Sequence, residues 1–431
     1  MLVQNYLSGD SSVNIAHSVE SAVVGGKLIA GELLPPVRSL AAHLGVSPAT
    51  VAAAYRILRE RGVVVADGRR GTRVRPAPPI ALPRNVPLPR NVRDLAEGNP
   101  DPALLPRLPA LQVEQRLYGD DLNDRRLIEL AREQFREDGI AAEHVSVVSG
   151  AMDGIERVLR EHLRPGDRVA VEDPCFTGVL DLLHVLSLVA VPVPVDDEGL
   201  LPSELRRAVR SAQALIVTPR AQNPTGATFT PRRARELRAI LSPRHDLLLV
   251  EDDHAGAVAG AGYVSLVDRS RERWAVVRSV SKSLGPDLRV ALLAADAQTH
   301  ARVEGRQTLG VRWVSHILQR LVVSLWRDRA PARAGRVYTE RRNALLRELR
   351  TRGIAAHGAS GLNVWIPVSE ESATVQALLH AGWAVKAGER YRIASPPAIR
   401  VTITSLEPAD AARFAEDLAS VITPRRRATG A

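Results

Sequence analysis

The feature that most constrains this chain is an alternation that begins at Val145 and runs to Ala295. Apolar runs of strand length, at 145–148, 168–172, 190–195, 214–218, 247–251, 275–278 and 291–295, recur along it. Between several of them lie stretches that suit helices, at 154–163, 179–186, 203–212 and 231–241. Such an order predicts a mostly parallel sheet wrapped by helices, with ligand groups gathered at the strand ends. From about Thr339 onward helix and strand patterns mix, which reads as a smaller α+β subdomain.

The N-terminal residues follow a different plan. Residues 13–30 read as a helix with Ile15, Val19, Ala22, Val23 and Ile29 on one face and Gly31 beyond its end. Residues 38–44 have the length of a two-turn helix that Gly45 breaks, and Ser47 with Pro48 is an N-cap and first-turn pair opening a third helix. That helix buries Val51, Ala54, Tyr55 and Leu58, while Ala49, Thr50 and Ala53 leave its other face small enough to approach a groove. Runs at 63–66 and 72–75 around AspGlyArgArgGly predict a β-hairpin. Together these make a winged helix over residues 1–75. Residues 76–93 hold six prolines without hydrophobic periodicity and read as a semi-rigid linker. The larger domain then spans 94–425, its small subdomain about 339–425, with a tail at 426–431.

Through LPPVRSLAAHLGVSPATVAAAYRILRERG and GRRGTRV, this head resembles the DNA-binding domain of the GntR family of bacterial transcription regulators. The resemblance implies a third helix in the major groove, with Arg38, Ser47 and Thr50 on DNA and the hairpin tip Arg69, Arg70 and Gly71 reaching the backbone or minor groove. Pro48 stands where the family often has an arginine, so one usual groove contact is missing. A net charge of +10 favours a polyanionic partner.

Only three of the 58 basic residues are lysines, Lys27, Lys282 and Lys386. Arginine usage of this kind equally reflects a GC-rich genome. A retained lysine still points to a need for its amine, because arginine stays protonated and cannot form a Schiff base. Lys282 follows the 275–278 run, with Ser279 before it and Arg289 after it. Other strand ends carry Ser149, Gly150 and Ala151 at a strand-to-helix turn suited to phosphate, and Phe176, Asn223 and Asp252 after later strands.

With N-P-T-G, E-D-D and S-x-S-K-x-L-x-P-x-x-R in order, residues 94–425 resemble the fold-type I pyridoxal-phosphate enzymes of the aspartate aminotransferase superfamily. The whole chain is similar to the MocR subfamily of GntR regulators. The resemblance implies that Lys282 forms the internal aldimine, Asp252 faces the pyridine nitrogen, Asn223 donates to the ring hydroxyl oxygen and Phe176 stacks on the ring. It implies a phosphate cradle of Ser149, Gly150, Ala151, Ser279 and Arg289, and Arg400 for a substrate carboxylate. It also implies that Tyr118 reaches the cofactor of a second subunit, hence a homodimer. His254 departs from the pattern, since it stands where these regulators usually have a tyrosine near the ring oxygen. Met152 and Asp153 replace the usual polar pair, and the Y-G-D stretch lacks its second glycine.

The single cysteine, Cys175, fits a reducing bacterial cytoplasm, and no apolar run approaches membrane-spanning length. The histidines and that cysteine have no zinc-site spacing. The function expected is a DNA-binding transcription regulator that senses pyridoxal phosphate, or an amino-compound effector, through an aminotransferase-like domain. The alternatives are an aminotransferase that carries a DNA-binding head, with Lys282 as its general base, and a regulator that has lost the cofactor.

Overall fold

The computed structural model describes residues 3–24, 27–29, 31–60, 63–66, 71–75, 88–89, 91–111, 116–268 and 270–422. They fall into two compact units, one holding the residues up to 85 with 163–169 and 180–191, the other the rest. Arg69 and Arg70, most of the 76–93 linker and the 426–431 tail lie outside the described residues.

The head is built on three helices, α1 (Ser12–Val24), α2 (Val37–Leu44) and α3 (Pro48–Glu60), and an antiparallel hairpin of β1 (Val64–Ala66) and β2 (Thr72–Val74). Gly45 ends α2 in the left-handed region at φ 68°, which glycine adopts without a Cβ clash. The Ser47 Oγ accepts the Thr50 N–H at 3.1 Å, the N-cap bond that the sequence predicts. Ile15, Val19, Leu40, Val51, Ala54, Tyr55, Leu58 and Val64 close one apolar core. The first helix is shorter than expected: it stops at Val24, where two glycines follow in the sequence, and Ile29 is 66% exposed while Leu28 turns inward.

The body begins with β3 (Arg93–Asp94), then α4 (Arg125–Glu137), β4 (His144–Val148), α5 (Ala151–His162), β5 (Arg168–Asp173), α6 (Thr177–Val185), β6 (Val189–Asp196) and β7 (Gly199–Leu200). It continues with α7 (Pro202–Ala208), β8 (Ala214–Val217), α8 (Pro231–Leu241), β9 (Leu248–Asp253), β10 (Trp274–Ser279), β11 (Ala291–Ala295), α9 (Ala297–Leu309) and α10 (His316–Leu325). Eight strands form one sheet in the order β4-β11-β10-β9-β8-β5-β6-β7. The pairs β8–β9 and β9–β10 are parallel, whereas β11 runs antiparallel to both β10 and β4. Gly154 lets α5 lie close on this sheet, since a Cβ there would meet Val148 and Val277 at 3.0 Å.

The remaining elements are α11 (Ala330–Thr351), β12 (Asn363–Pro367), α12 (Glu371–His380), β13 (Trp383–Ala384), β14 (Lys386–Ala387), β15 (Ala398–Thr402) and α13 (Pro408–Ile422). A three-stranded sheet, β12-β15-β14, packs with α11, α12 and α13 around Ile366, Ile399, Val401, Phe414 and Leu418. Two residues from the start of the body join this lobe, because β3 pairs in parallel with β13. Nothing in so short a stretch announces that pairing.

One buried ion cluster fixes the ends of the central strands. Asp253, fully buried at the end of β9, accepts hydrogen bonds from Arg220 Nε and Nη2 at 2.9 and 2.8 Å and from Arg278 Nε at 2.6 Å. Arg278 also meets Asp138 at 2.6 Å and lies over the Phe135 and Tyr263 rings. Burial alone would raise the Asp253 pKa, but the charges of Arg278 and Arg220 outweigh it and hold the carboxyl far below the usual range. Removing one member of such a cluster leaves buried charge unpaired. Asp253→Ala is therefore expected to destabilise the body by about 3–5 kcal/mol. All five tryptophans lie at or beyond Trp274, so the urea transition followed by their fluorescence reports the body alone.

Candidate cofactor site

Strand register brings the predicted residues to one edge of the sheet. Val148 pairs with Ala291, which pairs with Ser279; Val277 pairs with Asp252, and Glu251 with Val217. Ser149, Ser279, Asp252 and Thr218 therefore stand at the same edge. Asp252 is the penultimate residue of β9 and not the first beyond it, as the sequence predicts. Because successive side chains of a strand point to opposite faces, Asp252 turns toward the face that carries Val277 while Asp253 turns away to its arginines.

One end of the site is a basic cradle. Arg289 has a left-handed backbone, φ 47°, just before β11, a conformation that a non-glycine residue adopts only when its surroundings impose it. Its Nη2 donates to the Ser149 carbonyl at 3.2 Å and lies so near Gly150 that a Cβ there would come within 2.6 Å of it. Gly150 itself stands at φ 100°, a conformation that favours glycine. Ala151 opens α5 directly beyond, and Ser279 Oγ accepts the Ser281 N–H at 3.1 Å. Asp153 takes the Ser149 N–H at 2.9 Å and the Arg157 guanidinium at 2.9 Å, so this departure from the family pattern ties the turn down from within.

The other end holds Lys282, Asp252, His254, Asn223 and Arg400. Burial, and then the charge of Arg400, lower the Lys282 pKa to about 8, and its Nζ donates to the Gly98 carbonyl. Asp252 moves the opposite way, to about 8, chiefly through burial and then through Asp253 and Glu172. Its Oδ1 is buried with no hydrogen-bond partner among the described residues. His254 is lowered to about 4 by burial and then by Lys282. Its Nε2 lies 2.9 Å from the Ala221 carbonyl; a carbonyl only accepts, so Nε2 carries the proton and Nδ1 is left as an acceptor. Arg400, on β15, donates from Nη1 to Asn223 Oδ1 at 3.3 Å and from Nη2 to the Ala96 carbonyl, with the Tyr391 ring 5.1 Å from its guanidinium carbon. Phe176 follows β5, and Gly178 gives its ring room, since a Cβ there would meet the ring at 2.6 Å.

These residues fit pyridoxal phosphate. A buried carboxyl oxygen without a donor suits a protonated ring nitrogen, a lysine whose pKa is lowered to about 8 suits an aldehyde, and the Arg289–Gly150 cradle suits a phosphate. Tyr118 is not brought to this site within the chain: it is 82% exposed and packs on Trp313 and Arg312. Sequence reasoning missed Ala96 and Gly98, whose carbonyls engage Arg400 and Lys282, and also Tyr391. The first two act through backbone atoms, which leave no side-chain signal.

Residues 11–74 match the family described as bacterial regulatory proteins, gntR family, and residues 120–418 match aminotransferase class I and II. The chain is 38% identical to the vitamin B6 salvage pathway transcriptional repressor PtsJ of Salmonella typhimurium, over 96% of this chain and 98% of that one. It is 30% identical to the HTH-type transcriptional regulator TauR of Rhodobacter capsulatus, over 82% of each. An aminotransferase from Staphylococcus aureus shares the fold at a TM-score of 0.69 and 18% identity, over 80% of this chain and 98% of that one.

Two pH effects follow. Capture of added pyridoxal phosphate, read by absorbance, should quicken about tenfold per pH unit up to roughly pH 8 and then level off, and Lys282→Arg should capture none. A rise that continues toward pH 10 would contradict the buried, lowered amine. In the ligand-free protein the raised Asp252 keeps its proton where the unfolded chain has lost it, so its contribution to stability falls as pH rises from about 4 to about 8, while the lowered His254 and His162 add stability as pH rises from about 4 to about 6.5. The stability of Asp252→Asn relative to wild type should therefore rise with pH through about 4 to 8; a pH-independent difference would contradict the raised carboxyl.

Proposed function

The chain belongs to the MocR-type GntR family, in which a GntR DNA-binding head precedes an aminotransferase class I and II body, and on that premise we propose that pyridoxal phosphate is its effector. It is a DNA-binding transcription regulator whose body binds pyridoxal phosphate. The alternative of an aminotransferase that merely carries a DNA-binding head is not what similarity to regulators along nearly the full chain supports. The observation that carries the effector is a buried lysine of lowered pKa and an orphaned carboxyl oxygen at the ends of two adjacent strands, in a chain similar end to end to a vitamin B6 salvage repressor.

When bound, the cofactor supplies an aldehyde that combines with amines and a ring that withdraws electrons. Lys282 presents its neutral amine to that aldehyde. Asp252 holds a proton at the ring nitrogen, Asn223 offers its amide to the ring oxygen, and Phe176 covers the ring face. Ser149, Gly150, Ala151, Ser279 and Arg289 hold the phosphate, and Arg400 orients the carboxylate of an amino compound. His254 stands where the family pattern places a tyrosine, and its Nδ1 accepts a hydrogen bond where a tyrosine hydroxyl could also donate one.

The contacts of Lys282 and Arg400 also suggest how occupancy leaves the site. A ligand that engages these two groups competes with the Gly98 and Ala96 carbonyls, and residues 96–98 follow β3 and the 76–93 linker directly in the chain. Arg38, Ser47 and Thr50 on the head meet operator DNA, with Arg69, Arg70 and Gly71 at the hairpin. We place the regulator in the cytoplasm as a homodimer; no helix among the described residues is long and apolar enough to cross a membrane. Leu117, Tyr118, Leu309, Val311 and Ile317, each more than half exposed, supply an apolar surface that a second copy would cover.

At moderate salt the purified protein should prefer DNA from its own upstream region to random DNA in a mobility-shift titration, and pyridoxal phosphate should change that affinity. Lys282→Ala should still bind DNA while losing the response. Arg38→Ala should weaken binding and reduce the salt slope by about one. Equal binding to both DNAs would refute the proposal.

A further inference from the structure

Asp173 belongs to none of the roles above, yet it is 2% exposed and fully engaged at the end of β5. Its Oδ1 accepts the Ile393 N–H at 2.9 Å and the Ser395 hydroxyl at 3.0 Å. Its Oδ2 accepts the Ala394 and Ser395 N–H groups at 2.8 and 2.9 Å. Three consecutive backbone donors that converge on one carboxylate form an anion-binding concavity built from the chain itself. The donors belong to the strap that links β14 to β15, and this strap carries Tyr391 to its place over the Arg400 guanidinium.

A second carboxylate, Glu371 on α12, already shapes the strap within its own lobe. It accepts Glu389 N–H at 2.7 Å and Ala398 N–H at 2.9 Å, at the two ends of the strap, and pairs with Arg392 at 2.8 Å. The bonds of Asp173 do something different: they join the strap to the strand end that leads into Pro174, Cys175 and Phe176. The Cys175 N–H donates to the Tyr391 carbonyl at 2.7 Å along the same seam, and Gln222 Nε2 donates to the Pro174 carbonyl at 2.8 Å beside Asn223. Tyr391 and Phe176 are thus registered to each other by the Cys175–Tyr391 backbone bond and by the four bonds of Asp173 beside it.

We infer that Asp173 is a positioning residue that holds the strap, and with it Tyr391, against Arg400, and so sets the preference of the site for ligands that carry a carboxylate. The inference rests on the reading of Arg400 as the carboxylate-binding group. Arg400 is buried, and its position is set by what surrounds it: Asn223 and Ala96 on one side, the Tyr391 ring on another. A strap that drifts from β5 removes the ring and lets the guanidinium turn, which penalises a planar, paired contact to a carboxylate far more than contacts to a ring or a phosphate.

Asp173→Asn keeps the shape but sets an amide NH2 against backbone donors: against the Ala394 and Ser395 N–H groups if it takes the Oδ2 side, or against the Ile393 N–H if it takes the Oδ1 side, where the Ser395 hydroxyl can turn to accept. The test titrates the full-length protein with pyridoxal phosphate and with N-(5'-phosphopyridoxyl)-L-alanine, which adds a carboxylate to the same ring and phosphate. In the variant the affinity for phosphopyridoxyl-alanine should fall tenfold or more while that for pyridoxal phosphate changes less than threefold. Ser395→Ala, which removes one bond of the four and keeps the carboxylate, should shift the same ratio by a smaller factor and guards against failure of the first variant to fold. Amide exchange at 393–395 should quicken in the ligand-free variants. Parallel losses for both ligands, or an unchanged ratio with slow exchange, would overturn the inference. Failure of the wild-type chain to bind pyridoxal phosphate would instead refute the reading it rests on, and the exchange measurement would still report on the strap.

Discussion

The candidate site depends on the buried cluster of Asp253, Arg220 and Arg278. Each member is a neighbour in sequence of residues proposed for the cofactor site: Asp253 lies between Asp252 and His254, Arg220 precedes Ala221, Gln222 and Asn223, and Arg278 precedes Ser279. Three separate strand ends are therefore drawn to one carboxylate on the face of the sheet opposite Asp252. A buried salt bridge is weak evidence for stability in itself, because desolvation offsets much of the attraction. Its worth here is geometric, since the planar arginine forks fix where the adjoining loops leave the sheet.

The same cluster helps to set the electrostatics on the other face. Adjacent carboxyl groups on one strand take opposite states: Asp253 is ionised by two arginines, while Asp252, buried near Asp253 and Glu172, retains its proton until a cation arrives. Lys282 and His254 are shifted downward, each chiefly by burial, with Arg400 adding to the first and Lys282 to the second. A site with a neutral acid, an amine of lowered pKa and a neutral imidazole is primed for a ligand that brings its own charges. Pyridoxal phosphate brings both a protonated ring and a phosphate.

Much of this was legible in the amino-acid order. The seven apolar runs of the large domain all correspond to strands, with ends displaced by a residue or two, and the helix-turn-helix with its Ser47 cap forms as the local chemistry requires. Lys282 could be singled out by its rarity, and Asp252, Asn223 and Arg289 by their places after strands. Such features are local: hydrophobic period, capping and strand ends depend on a few neighbouring residues. The length of the first helix was misjudged for a related reason, because an apolar period continues in the sequence past the point, Val24, where the helix stops.

The sequence by itself determined the order of elements, the two kinds of domain and which side chains have the chemistry to meet a phosphorylated aldehyde. Tertiary structure alone decided which backbone groups enter the site: Gly98 and Ala96 reach Lys282 and Arg400 across 184 and 304 residues of chain, and Asp173 reaches its strap across about 220. It also decided, through strand register and pleat, that Asp252 lies on the face of the sheet that carries Val277 while Asp253 lies on the other with its arginines. Contacts between backbone atoms distant in the chain leave no residue pattern, because almost any side chain could accompany the carbonyl or N–H that makes them.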